Sequence, residues 1–280
     1  MADTPLPLSA FADEISPELD QQVAVCRRAG VSHFELRSVG GVNVLDLSEA
    51  TRQQVRSTLA DAGLGVACIG SPVGKVPIDQ PWAEHLDRFK VAIDAARFFA
   101  APMIRIFSYY GPTGGSVLDH RDEVVRRLAA QAELAAAAGV TLVHENERHI
   151  YGERGDACLD LLRSVNSPRL RAAFDFANFV QAGDDPLACW GMLAPFTVHI
   201  HIKDALPDGR VVPPGTGAGQ LGPIIRSAYD GGYRGFLSLE PHLAAAGQFS
   251  GFSGPDLFLT AATALRELCR EHGIPLTAAS

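Results

Sequence analysis

The spacing of hydrophobic and polar residues switches period repeatedly along the chain. Short runs, some alternating every second residue and others continuously apolar, give way to longer runs with an apolar residue every third or fourth position. The short runs are residues 6–11, 33–37, 64–70, 103–107, 141–145, 171–175, 196–204 and 235–240. The longer ones are residues 16–30, 48–62, 82–100, 121–138, 157–165, 186–193, 221–230 and 256–272. Within 82–100 the apolar stripe is Leu86, Phe89, Ile93 and Ala96. Ser16, Pro17 and Glu18 read as a helix start, with Ser16 as N-cap and Pro17 at the first helical position. Strands and helices in strict alternation, with no linker or change of composition, predict an α/β chain. The predicted fold is one (β/α)8 barrel domain over residues 1–280. A doubly wound open sheet is the alternative, but it calls for a glycine-rich turn after the first strand. Here that position holds Ala12, Asp13, Glu14, Ile15 and Ser16.

Composition narrows the function classes. Of 280 residues, 47% are hydrophobic and 20% charged, which suits a globular core. The net charge of −8, with Lys and Arg scattered, argues against a nucleic-acid or anionic-membrane partner. The five cysteines lie far apart and none forms a CxxC pair. That argues against structural zinc and a disulfide framework, and makes the cytoplasm the expected compartment. The first residues lack a basic segment followed by an apolar run, and no stretch is long enough to span a bilayer.

The chemistry concentrates in residues 196–204. Val198, Ile200 and Ile202 fall on one face of that strand, and His199, His201 and Lys203 on the other. Either the polar face lines an interior that binds something, or this is a half-exposed edge strand. Other polar residues close neighbouring strands: Glu145 the fifth, Asp175 the sixth and Glu240 the eighth. A barrel of this kind carries its site at the carboxyl ends of its strands, so these groups are expected to converge with His201. Three carboxylates meeting in one lumen repel one another unless a cation offsets them. One solution is a divalent metal, Mn²⁺ or Mg²⁺, with Co²⁺ or Zn²⁺ as further fits to oxygen ligands plus one nitrogen. The other is ion pairing with Arg105, Arg148 and Lys203.

Four segments carry a family resemblance: 143–147 (VHENE), 174–178 (FDFAN), 199–204 (HIHIKD) and 238–242 (SLEPH). Across essentially its full length the chain resembles the xylose isomerase-like superfamily of sugar phosphate isomerases and epimerases. The resemblance implies one divalent metal held by Glu145, Asp175, His201 and Glu240. It also implies that Glu145 and Glu240 exchange the substrate proton, as the matching acids do in ketose 3-epimerases of the superfamily. Those epimerases carry a substrate-holding His three residues after the metal-binding Asp; this chain has Asn178.

The expected reaction is an isomerisation or epimerisation of a sugar, ketose or sugar phosphate through an enediolate. Lys203 would stabilise the oxyanion or bind an anionic substrate group. Glu14, Arg105, Asn178, His199 and His242 are further substrate-binding candidates, with Glu35 and Lys75 behind them. Glu14 and Glu35 could equally pair with Arg37. His199 is expected to form the wall beneath His201, His144 to point towards the helices, and the Gly215–Gly217 loop to be a flexible lid. Three rivals stand beside this reading. One is a dehydratase on the same metal site, as among the inosose dehydratases of the superfamily. The second is nucleic-acid processing, against which nine histidines and a negative charge argue. The third is a non-catalytic barrel. Apolar outer surfaces allow a homo-oligomer, with no interface marked.

Overall fold

The computed structural model describes residues 4–244 and 252–278; Met1–Asp3, on which part of the N-terminal reading falls, lie outside them. Eight parallel strands close into a barrel: β1 (Leu8–Ala10), β2 (His33–Leu36), β3 (Gly65–Ile69), β4 (Met103–Ile106), β5 (Thr141–Glu145), β6 (Leu170–Asp175), β7 (Thr197–Ile202) and β8 (Leu237–Leu239). Each pairs with its sequence neighbours, and β8 closes the ring on β1. Outside lie α1 (Leu19–Ala29), α2 (Glu49–Asp61), α3 (Trp82–Phe98), α4 (Arg121–Ala138), α5 (Gly155–Val165), α6 (Phe176–Gln181), α7 (Pro186–Leu193), α8 (Leu221–Asp230) and α9 (Gly254–Glu271). The (β/α)8 expectation holds. No helix among the described residues is long and apolar enough to cross a membrane.

Strand period two sorts the side chains into two cores. Ile69, Ile104, Leu142, Phe174, Ile200 and Leu239 join the large cluster against the helices. Cys68, Met103, Val143 and Ala173 have the opposite phase and form a separate small cluster that plugs the lumen. Arg105, Glu145 and Asp175 lie two residues beyond Met103, Val143 and Ala173 on that same face. The site therefore stands directly on the apolar plug.

Four details depart from the sequence reading. Ser16 is not the cap of α1, which begins at Leu19 after Glu18; the Ser16 hydroxyl instead accepts from the Glu18 N–H at 3.1 Å. Pro17 follows a 3-10 turn over Ala12–Glu14, so the chain must reorient before a helix can start. Val198 does not share the face of Ile200 and Ile202. A register shift pairs Ala172 with Thr197 but Ala173 with His199, and Val198 packs on the lumen plug. The short helix α6 was not anticipated; Asp175 caps it by accepting from the Asn178 N–H at 2.8 Å.

The fourth departure is the loop after β7, which is anchored rather than free. The Asp204 carboxylate accepts N–H bonds from Gly215, Gly217 and Gly219, each at 2.9 Å. A Cβ at position 217 or 219 would collide with that carboxylate, which explains the glycines. Asp204 is 1% exposed and also accepts from the Ala205 N–H at 2.9 Å, so its loss takes the acceptor from four N–H donors. Asp204→Ala is expected to lower unfolding free energy by about 3 kcal/mol, at roughly 1.5–3 for a charge-assisted bond with partial rescue by water. Urea denaturation measures this, and an unchanged midpoint would contradict the anchoring role.

Candidate metal and acid–base site

The climb of register from strand to strand brings the polar ends together. Glu145 pairs with Ala173, two residues short of Asp175; Asp175 pairs with His201; and His201 pairs with Ser238, two residues short of Glu240. Strand tilt in a closed barrel turns these offsets into convergence. One ligand atom from each of Glu145, Asp175, His201 and Glu240 lies within 4.8 Å of the others, and all four residues are buried. The Nδ1 of His201 is 3.3 Å from Glu145 Oε1 and 3.5 Å from Glu240 Oε2.

Cations surround the cluster. Arg105 Nη1 lies 3.0 Å from Glu145 Oε2 and 3.7 Å from Glu240 Oε1. Lys203 Nζ lies 2.8 Å from Asp175 Oδ2 and 3.9 Å from Glu240 Oε2. Arg37 reaches Glu240 Oε1 at 3.3 Å while also holding Asp13 at 2.7 Å. Arg37 and Arg105 both stack on Phe11, with guanidinium carbons 4.7 and 4.8 Å from the ring centre. Ion pairing and convergence of metal donors are thus both present in one place. Arg148 takes no part: it is exposed, and its backbone N–H donates to Glu147.

The electrostatics differ among the acids. Burial would raise Glu145, but His201 and Arg105 outweigh it and bring the carboxyl to about 2. Burial also opposes the charge of Glu240, yet Lys203 and His242 hold it well below the usual carboxylate range. Asp175 is pushed up to about 6 by burial, with Glu145 and Glu240 adding to it against the pull of Lys203. It is therefore the acid with most to gain from an added cation. Glu240 Oε2 and His201 Nδ1 also have no hydrogen-bond partner, and Asp175 Oδ2 meets only the Lys203 ammonium, at 2.8 Å. Three hard oxygens and one imidazole nitrogen, two of them without a hydrogen-bond partner, fit a divalent metal.

The other sequence candidates fall into tiers. Asn178 touches the site: its amide donates to Glu145 Oε1 at 3.3 Å and to the Asn146 carbonyl at 2.8 Å. Glu14 and His242 form a buttress beside Glu240. Glu14 accepts from the His242 N–H at 2.8 Å and from Ser253 at 3.0 Å, and its Oε1 is 3.1 Å from His242 Nε2. Burial disfavours the charge on His242, but Glu14 and Glu240 raise it to about 9. His242 sits at φ 47, a backbone setting unusual for a residue other than glycine. Lys75 stands apart, paired with Glu147 at 2.9 Å and over the Phe107 ring. His199 lies fully buried beneath the cluster, bonded to Glu35 at 2.7 Å. Glu35 is also fully buried, with His199, His201 and Ser238 as partners in place of Arg37. His144 points away, to the Ser108 hydroxyl at 2.9 Å.

Sequence reading gave Arg37 only the role of an ion-pair partner for Glu14 or Glu35, and gave Asn146 and Ser238 no role beyond the segments of resemblance that contain them. Arg37 follows Glu35 at strand period, which places both on one face and was the available signal. Asn146 pairs with both the N–H and the carbonyl of Asp175, at 2.9 and 3.0 Å, and so fixes the base of that side chain. Nothing local in the sequence announces that contact.

Comparison with known proteins bears on the fold that carries these residues. A 3-dehydroshikimate dehydratase of Bacillus anthracis is 22% identical over 175 residues, 62% of this chain and 62% of that protein. A D-tagatose 3-epimerase-like protein superposes with a TM-score of 0.77 at 15% identity, covering 96% of this chain and 98% of its own. A xylose isomerase-like barrel protein from Mycobacterium smegmatis, solved with magnesium, gives 0.72 at 18% identity, covering 96% and 98%. A family model described as "Xylose isomerase-like TIM barrel" matches residues 23–248. Covering most of the sequence and agreeing with the closed eight-stranded ring, that match makes this chain a member of the xylose isomerase-like TIM barrel family.

Proposed function

We propose that the protein is a divalent-metal-dependent isomerase or epimerase of a sugar, ketose or sugar phosphate, working by proton transfer through an enediolate. The observation that carries this is the convergence of Glu145 and Glu240 with Asp175 and His201 within 4.8 Å. Those four residues would hold Mn²⁺ or Mg²⁺, with Co²⁺ or Zn²⁺ as alternatives. When bound, the ion supplies Lewis-acid polarisation of the substrate carbonyl, which makes the neighbouring C–H more acidic.

The remaining work falls to the chain's own groups. Glu145 and Glu240 both start ionised, the first held so by His201 and Arg105, the second by Lys203 and His242. One carboxylate removes the proton beside the carbonyl. Return by the other to the opposite face of that carbon gives an epimer, and return to the adjacent carbon gives an isomer. Lys203 faces charge that develops on the substrate oxygen. Asn178 holds Glu145 in place through its amide and, having no titrating group, does not exchange protons itself. The four ligand residues are at most 2% exposed, so Arg37, Arg105 and Lys203 must yield space to a substrate.

A second reading is a dehydratase of a keto-polyol such as an inosose, favoured by the match to a dehydratase. Proton removal is shared, and a β-hydroxyl then leaves. The two part in deuterated water with Mn²⁺ present and a panel of ketoses, sugar phosphates and keto-cyclitols. Deuterium at the carbon next to the carbonyl, with a new epimer or isomer, supports the first. An enone absorbance with loss of water supports the second. A panel that exchanges no deuterium and forms no enone counts against both.

A further inference from the structure

His201 has two ring nitrogens, and they face different surroundings. Nδ1 looks towards Glu145 and Glu240, at 3.3 and 3.5 Å. Nε2 looks the other way, 3.3 Å from Glu35 Oε1. At that distance the pair is in ion-pair range but short of a well-aligned hydrogen bond, and both atoms lack any hydrogen-bond partner. They are complementary, buried and facing. The other Glu35 oxygen is fully engaged, accepting from Ser238 Oγ and paired with His199 Nε2, each at 2.7 Å. Both Glu35 and His201 are completely shielded from solvent.

The backbone makes this contact deliberate in the physical sense that two irregularities aim it. The register of β2 against β3 shifts between Phe34 and Glu35. The register of β6 against β7 shifts just before His199. Such shifts re-aim side chains locally. Between β2 and β8 stands β1, whose Ser9 is in register with both Ser238 and His33. A residue as small as serine leaves the lumen open for Glu35 to cross. Phe11 then closes the ring of His201 edge-on, with centroids 5.3 Å apart at 83°.

Resting on the metal site proposed above, we infer that Glu35 is a positioning residue for His201, held in turn by His199 and Ser238. It fixes the imidazole with its proton on Nε2 and its lone pair on Nδ1, facing the carboxylates. A carboxylate behind a ligating histidine sets its orientation and raises its basicity, and losing it typically weakens metal binding by about 10–100-fold. The carboxylate–histidine chain thus belongs to metal capture rather than to substrate binding, the role the sequence allowed for Glu35.

The test is Mn²⁺ titration calorimetry on the full chain, wild type against Glu35→Gln, with long-range ¹H–¹⁵N NMR of His201 in the Mg²⁺-loaded wild type. We expect one equivalent of Mn²⁺ in the wild type, a dissociation constant about tenfold or more higher in Glu35→Gln, and Nε2 as the protonated nitrogen. A dissociation constant within twofold of wild type overturns the inference. So does a proton on Nδ1, which can be read even if Glu35→Gln does not fold. Two bound equivalents, one of them lost in the variant, would make Glu35, His199 and His201 a second metal site and overturn it as well. A wild type that binds no Mn²⁺ removes the metal reading itself, an outcome distinct from the others.

Discussion

Glu240→Gln is expected to fold as the wild type does and to lose about 10²–10⁴-fold in turnover, the usual contribution of a positioned acid–base group. Glutamine keeps the volume and one acceptor oxygen, so Arg37 and Arg105 still have a polar partner, 3.3 and 3.7 Å away in the native protein. What it cannot do is take or return a proton. Because Glu240 is also a proposed ligand, the assay must be run at saturating Mn²⁺, with thermal unfolding as the control for folding. The same panel of substrates reports on Glu145→Gln. If the two carboxylates act from opposite sides, each variant stops net conversion, and one of them can still show solvent exchange. Turnover of Glu240→Gln within fivefold of wild type, at full metal occupancy, would remove Glu240 from the proton-transfer step.

Chelation is the second experiment with a large effect. Protein stripped with a chelator is expected to have no measurable turnover, and Mn²⁺ or Mg²⁺ should restore it. Stability offers an independent readout. A ligand that binds only the folded chain at a hundred times its dissociation constant adds about 2.7 kcal/mol, visible as a rise in melting temperature. Asp175→Asn is the informative variant. Asparagine caps a helix about as well as aspartate, so α6 keeps its first turn. The variant loses the carboxyl oxygen that faces the cluster and with it the 2.8 Å ion pair to Lys203, whose charge Glu240 still faces at 3.9 Å. It should therefore retain its metal-free melting temperature within a few degrees and lose most of the Mn²⁺-dependent rise. Full turnover in protein shown by elemental analysis to be free of metal would end the Lewis-acid reading.

Much of this was legible in the chain itself. The switching of period between two and about 3.6 needs no tertiary information, because it reflects which side of a strand or helix meets oil. That is why all eight barrel strands, and every helix between them except α6, were placed to within a few residues. Asp175, flanked by Phe174 and Phe176, and Glu240, preceded by Leu239, could be assigned to the lumen face from their apolar neighbours. The boundaries that failed did so where a second local preference competed. At Ser16 a serine turn ahead of Pro17 displaced the cap, and at Asp175 a strand end doubled as the cap of α6. At Val198 an extra residue broke the parity on which the face assignment rested.

The sequence by itself determined the barrel and the residue types that gather at its carboxyl end. Only the tertiary structure decided how those groups share charge: that Arg105 spans Glu145 and Glu240, that Asp204 ties down three glycines, and that Glu35 backs His201. Period is a one-dimensional property, fixed by each residue and its near neighbours. Pairing across a lumen joins residues as far apart as Glu35 and Ser238, and it depends on strand tilt, register shifts and the size of what lies between. None of these is encoded in any single stretch of the chain.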